Sequence, residues 1–250
     1  KRPISLISKA FENKNFIYYK PSAKIKWEEP VGIEYNSILQ CVTEGDWLGA
    51  DGMETFIDKN NSNILYGTSQ YGGLYKSINT GTSYIGINSP EDKSGDWVTP
   101  FEQDPLLANT IYTGYDKVYK SSNGGSTWVS ISQGFGENLN HLKIAPSSNL
   151  VMYASHGNTL YKTINGGTTN WTQLSGFSGS INSIAIHPTN PNKVAIATTS
   201  DQKVYVSNNG GITRISYLYD LPDFSAQALV WENNGRDGLY LGMNYGVYHI

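Results

Sequence analysis

Four segments of this chain are near copies of one another. They read Leu74-Tyr75-Lys76-Ser77-Ile78-Asn79-Thr80-Gly81, Val118-Tyr119-Lys120-Ser121-Ser122-Asn123-Gly124-Gly125, Leu160-Tyr161-Lys162-Thr163-Ile164-Asn165-Gly166-Gly167 and Val204-Tyr205-Val206-Ser207-Asn208-Asn209-Gly210-Gly211. Their tyrosines lie 44, 42 and 44 residues apart, and a fifth partial copy, Gly246-Val247-Tyr248-His249-Ile250, follows after another 43. A period of that length, filled with short alternating runs, restricts the chain to a radial or linear repeat of one supersecondary unit.

Each unit divides into four runs. The second reads Trp97-Val98-Thr99-Pro100-Phe101, then Thr110-Ile111-Tyr112-Thr113-Gly114, then Lys117-Val118-Tyr119-Lys120-Ser121, then Ser126-Thr127-Trp128-Val129-Ser130-Ile131. Turn residues separate them, Gln103-Asp104-Pro105 first and a Gly-Gly pair last. The third reads His141–Ile144, Val151–Ala154, Thr159–Lys162 and Asn170–Leu174. Alternation over such lengths between Gly, Pro and Asn is the mark of strands. Four antiparallel strands per period make the blade of an all-β fold, the β-propeller.

Full blades are expected over 47–89, 97–132, 139–175 and 181–217, with a partial blade at 226–250 and a degenerate one at 1–46. Dividing 250 residues by the period predicts about six blades in one domain, closed by pairing strands from both chain ends so that no sheet edge is left exposed. The alternatives are a seven-bladed ring and an open arc cut from a larger one.

The corner between third and fourth strands reads Ser/Thr-x-Asn-x-Gly-x-Thr/Ser, with Asn79, Asn123, Asn165 and Asn209 at its centre. An aromatic follows in two copies (Tyr84, Trp128) and one residue later in a third (Trp171). Asn can bond amides ahead of it and Gly supplies positive φ, so the corner is read as a structural turn whose aromatic drops between blades. It resembles the Asp-box, or BNR repeat, with Asn in the Asp position; in that family the box lies on the face away from the ligand. Together with Gly49-Ala50-Asp51-Gly52-Met53, Trp97–Phe101 and Gly238-Leu239-Tyr240-Leu241-Gly242, the boxes make residues 46–250 resemble the sortilin-like propellers of large secreted bacterial proteins. That resemblance implies an extracellular or cell-surface module within a longer multidomain chain.

Bulk properties narrow the partners. A net charge of −3 with scattered Lys and Arg gives no nucleic-acid footprint, and no apolar run approaches a membrane span. Cys41 is alone, so no internal disulfide or Cys-based metal site can form. Lys1-Arg2-Pro3-Ile4-Ser5 does not open a signal peptide, as in a mature form or an excised fragment. No cofactor or metal is expected; Asp51-Gly52-Met53-Glu54 lacks the spaced oxygens of a calcium loop.

In a propeller, the loops joining second to third strands and the connectors between blades gather on one face. By period these hold Gln70, Tyr71, Tyr115, Asp116, His156, Asp201, Asn244 and Tyr245, with Trp47 and Trp97 at the connectors. With 18 Tyr and 6 Trp in the chain, that face could stack sugar rings and bond their hydroxyls. The opposing reading packs the tryptophans between blades. Asp-box sialidases use an arginine triad, and the three arginines here (Arg2, Arg214, Arg236) do not fit one. Xyloglucanase-type hydrolases carry a catalytic Asp in the loop matching Ser69-Gln70-Tyr71-Gly72-Gly73; here Gln70, and Asn244 in the last blade, stand in its place. An amide cannot serve as a proton acceptor at neutral pH, leaving Asp116 and Asp201 as the carboxylates of any hydrolase reading. The sequence therefore reads as a non-catalytic module that binds a glycan or an extracellular protein, with a glycoside hydrolase fragment and a structural spacer as rivals.

Overall fold

The computed structural model describes residues 52–174, 177–199, 204–217 and 221–250. The expected blade at 1–46, Trp47 and Asp201 lie outside the described residues.

The second and third runs of each unit carry few charges and alternate or accumulate β-branched and aromatic residues, which suits strands covered on both faces. Among the described residues they form the middles of five antiparallel sheets laid out in chain order. The first contains β1 (Thr55–Ile57), β2 (Leu65–Thr68), β3 (Leu74–Ser77) and β4 (Ile85–Ile87). The second contains β5 (Phe101–Gln103), β6 (Ile111–Gly114), β7 (Val118–Ser121) and β8 (Val129–Ser130). The third contains β9 (His141–Ala145), β10 (Ser148–His156), β11 (Thr159–Thr163) and β12 (Thr172–Leu174). The fourth contains β13 (Ile181–Ile186), β14 (Val194–Thr198), β15 (Val204–Ser207) and β16 (Ile215–Tyr217). The fifth is three-stranded, with β17 (Ala226–Trp231), β18 (Leu239–Met243) and β19 (Val247–His249). Every strand pairs with its sequence neighbour, and the only helix among the described residues is a 3-10 turn at Gln70–Gly72.

The core is not one mass but a series of slabs, each filling the space between consecutive sheets. Tyr66 and Leu74 of the first sheet meet Phe101 and Ile111 of the second. Tyr112 and Val118 meet Leu142, Ile144 and Met152. Tyr153 and Leu160 meet Ile184, Val194 and Tyr205. Ala195 and Val204 meet Leu229, Trp231 and Leu241. The first strands β1, β5, β9, β13 and β17 stand side by side along one edge of the array. A meander sheet whose two faces both meet other sheets has no solvent face, which is why β6, β14 and β15 are buried at every position; β2 is buried throughout as well.

The second unit departs from its expected boundaries. The run from Trp97 does not pair until Phe101, because Thr99 Oγ donates to the Asp96 carbonyl at 2.9 Å and Pro100 has no N–H for the ladder. Trp97 consequently stays outside the slab that Phe101 fills.

Candidate functional site

Antiparallel pairing sends alternate connections to opposite ends of the sheets. The Asn corners share their end with the turns between first and second strands: Gly124, Gly166 and Gly210 donate their N–H to Asn109, Leu150 and Asn192. The loops between second and third strands share the other end with the inter-sheet connectors. There Tyr71 N–H donates to the Trp97 carbonyl, Leu139 N–H to Tyr115 and Ile181 N–H to Gly157.

Each corner repeats one bonding scheme. In the first, Ser77 Oγ donates to Asn79 Oδ1 at 2.9 Å and accepts Gly81 N–H at 2.9 Å, while Asn79 Nδ2 donates to Ser83 Oγ at 2.9 Å. Ser121–Asn123–Gly125–Thr127, Thr163–Asn165–Gly167–Thr169 and Ser207–Asn209–Gly211–Thr213 repeat it. All donors and acceptors of the central amide face the corner itself. The corner also seats the next sheet on the previous one: a Cβ on Gly125 would meet Ile87, on Gly167 the Ile131 carbonyl, and on Gly211 Leu174. Trp128 Nε1–H donates to the Asn88 carbonyl and Trp171 Nε1–H to the Ile131 carbonyl, each in the preceding unit. Tyr84 instead packs edge-on against Tyr75 of its own sheet, and Arg214, which replaces the aromatic in the fourth copy, lies 4.2 Å from the Phe177 ring centre.

At the connector end the expected residues separate into distinct environments. Tyr71 is 53% exposed and held at φ 60°, ψ 23°, a left-handed conformation that costs a non-glycine residue energy. Its ring meets Trp97, 46% exposed, edge to face with centres 5.1 Å apart. Gly95 N–H donates to the Tyr71 carbonyl at 2.9 Å, so the connector locks the loop into place. Gln70 is half-buried beside it.

Tyr115 corrects the expectation that it offers its ring to solvent. It is 1% exposed, and its hydroxyl donates to the Gly72 carbonyl at 2.8 Å and meets Ser89 Oγ at 2.7 Å. It supports the Tyr71 loop from below; a Cβ on Gly72 would collide with its ring. Burial keeps its hydroxyl above the ordinary tyrosine pKa.

Asp116 faces the connector rather than an open cleft. Its Oδ2 pairs with Lys93 Nζ at 3.4 Å, while Oδ1 is buried with no partner among the described residues. Lys93 also lies 4.0 Å from Glu91, whose carboxylate accepts the Tyr119 hydroxyl and pairs with Lys117. One ammonium therefore bridges the two carboxylates, which makes them near neighbours. Glu91 was absent from the sequence candidates. The signal for it was the length of connector 88–100, which lies over the second sheet and carries Ser89, Glu91 and Lys93 to three separate partners.

His156 is half-buried; its Nδ1–H donates to the Asn138 carbonyl at 2.7 Å, fixing Nε2 as the acceptor of the neutral ring. Asn244 accepts from Gln227 Nε2 at 3.1 Å, and its Nδ2 has no partner among the described residues. Tyr245 is 70% exposed and packs against Phe224 with ring centres 4.9 Å apart.

A row of polar groups along the first strands also escaped the sequence reading. Asn140 Nδ2 donates to Asp96 at 2.6 Å, Lys143 pairs with Glu102, and His141 Nε2–H donates to the Ile181 carbonyl at 3.1 Å. Burial, with Lys143 nearby, pushes His141 down to a pKa of about 4. These pairs join neighbouring sheets at the edge of the array. Among the described residues no group of three His, Cys, Asp or Glu gathers as a metal site, and no helix is long and apolar enough to cross a membrane.

No protein-family model matches the chain, and none of the curated proteins matches it. Solved structures do resemble it. An ancestral GH74 enzyme aligns with TM-score 0.64 and 18% identity over 80% of this chain. The GH74 enzyme of Niastella koreensis aligns with TM-score 0.64 and 20% identity over 79%. YCF48, in a structure with a bound D1 peptide, aligns with TM-score 0.59 and 13% identity over 80%. The chain spans only 31% and 36% of the lengths of the two GH74 enzymes, and 63% of YCF48. At these identities the likeness speaks for architecture alone: the chain has the β-propeller fold.

Proposed function

We propose that this chain is a non-catalytic binding module of an extracellular or cell-surface protein, recognising a glycan or protein partner through its connector end. The observation that carries the reading is the Tyr71–Trp97 pair. A strained backbone, a locking connector and a buried supporting tyrosine hold two large rings in solvent, where no packing requirement explains them. The corners at the opposite end bond only to themselves and to neighbouring sheets, so binding is assigned away from them. Similarity in fold to YCF48 with its bound peptide and to GH74 enzymes fits a surface of either partner class.

The test is retention of the folded chain on arrays of glucans, xyloglucans and extracellular proteins. Val98→Arg, on the connector end, is expected to abolish retention, and Ile212→Arg, on the corner end, to preserve it. Equal loss from both substitutions would sink the assignment of the face, and no retention at all would leave the spacer reading standing.

One observation favours a second reading. Lys93 bridges the carboxylates of Glu91 and Asp116, so two acids lie side by side as a hydrolase pair requires, although Tyr119 and Lys117 also engage Glu91. Reducing ends released from xyloglucan, and lost in both Asp116→Asn and Glu91→Gln, would overturn the non-catalytic reading. Asp201, the other carboxylate candidate, lies outside the described residues.

A further inference from the structure

The Tyr71–Trp97 pair of the first sheet has a counterpart in the fifth. Tyr245, in the β18–β19 loop, meets Phe224 of the connector preceding β17, so both pairs join a second-to-third-strand loop to an inter-sheet connector. The pairing pattern puts both at the same end of the sheets. A tyrosine hydroxyl pins each loop, from the neighbouring sheet in the first case and from the loop's own hairpin in the second. Tyr115 OH donates to the Gly72 carbonyl at 2.8 Å beneath the first pair, and Tyr248 OH to the Tyr245 carbonyl at 3.0 Å beside the second. The loops between them differ: Tyr115 is buried and His156 bonds inward.

We propose that the two pairs are separate stations for one linear, neutral polysaccharide, each stacking on a pyranose ring. The proposal rests on the binding reading above and commits it to a glycan. The pairs sit on the first and fifth sheets, whose core slabs share no residue, and a ligand that engages both must reach from one platform to the other. A polymer can, and two weak stations on one chain bind with an avidity neither has alone.

The chemistry of the surroundings selects the sugar. A pyranose presents C–H bonds on one face, suited to an aromatic ring, and hydroxyls at its rim, suited to amides. The first station has Gln70 and the Asp96–Asn140 pair beside it; the second has the Gln227–Asn244 pair. Asp96 and Asp223 adjoin the rings in sequence, and the nearest lysine along the chain, Lys93, is paired with Glu91 and Asp116, a balance that disfavours a uronate polymer. A stable protein partner would want a contiguous patch of roughly 800 Å² on this chain with an apolar centre, whereas these rings form two isolated pairs rimmed by polar groups.

Titration calorimetry on the full chain tests this, with xyloglucan and galactomannan polysaccharides, their short oligosaccharides and polygalacturonate as probes. The expected result is that at least one neutral polymer binds tenfold or more tighter than its oligosaccharide and that polygalacturonate does not bind. Tyr71→Ala/Trp97→Ala and Phe224→Ala/Tyr245→Ala should each reduce polymer affinity to that of the oligosaccharide, and combining all four should remove it. Polymer binding unchanged in either double variant overturns the two-station proposal while the binding reading survives. So does retention of a protein with no polysaccharide bound. Absence of every ligand class overturns both. Unchanged circular dichroism and melting temperature in the variants separate lost binding from lost folding.

Discussion

Trp171→Ala should be the most damaging single aromatic truncation in the corner repeats. The indole is 4% exposed, lies in the slab with Val118, Leu142, Ile144 and Met152, meets Phe135 with centres 6.0 Å apart, and donates Nε1–H to the Ile131 carbonyl at 2.8 Å. Its backbone N–H and carbonyl bond the Gln133 side chain and survive the substitution. The loss is thus the ring and one hydrogen bond: about 3–5 kcal/mol for a buried tryptophan, of which about 1 kcal/mol is the indole N–H. Trp171→Phe, which keeps a ring in the slab and removes that donor, should cost roughly 1–2 kcal/mol. Tyr84→Ala, whose ring is 42% exposed and packs edge-on against Tyr75 of its own sheet, should cost about 1 kcal/mol or less. For a domain of this size each kcal/mol lowers the melting temperature by roughly 2–4 °C, so calorimetry at pH 7 with urea titration resolves the series. Equal costs for Tyr84→Ala and Trp171→Ala, or for Trp171→Phe and Trp171→Ala, would refute the idea that the corner aromatic fastens one sheet to the next.

Backbone strain makes a second prediction: Tyr71→Gly should be more stable than Tyr71→Ala by about 1 kcal/mol in urea unfolding, because glycine alone relieves φ 60°. Thr80→Gly, at φ 57°, should likewise raise the urea midpoint by up to about 1 kcal/mol in stability. Gly167→Ala should lower stability by more than about 2 kcal/mol, since its Cβ would sit 2.0 Å from the Ile131 carbonyl at φ +81°. His141 sets an acid limb. Above the unfolded pKa of 6.5 the ring is neutral in both states and costs nothing; between 6.5 and about 4 the unfolded chain takes a proton the folded one refuses. Stability should therefore fall across that window by on the order of 3 kcal/mol, and His141→Gln should flatten the fall in a melting-temperature profile against pH.

The repeat was legible because the four corners are bonded through their own side chains: Ser77, Asn79, Gly81 and Ser83 need nothing distant, so each copy states its geometry locally. The buried second strands were legible for the same reason that both their faces are covered. The connector end was only half legible. Period placed Tyr71, Tyr115, Asp116 and Tyr245 in equivalent loops, but exposure depends on what the connectors do, and connectors carry no period. Residues 88–100 cover Tyr115 and capture Asp116, while the turn at Thr99 and Pro100 leaves Trp97 in solvent. Glu91, Lys93, Asn140 and His141 act through partners about 20 to 45 residues away, contacts that no local pattern announces.

The account turns on a division of labour between the two ends of the sheets, and one paired measurement tests it. Asn165→Ala and Tyr71→Ala are each assayed for melting temperature and for affinity toward whichever glycan or protein the wild-type chain retains. The expected result is a lower melting temperature with unchanged affinity for Asn165→Ala, and lost affinity with a nearly unchanged melting temperature for Tyr71→Ala. Lost affinity in a fully stable Asn165→Ala, or full affinity in Tyr71→Ala, would contradict it.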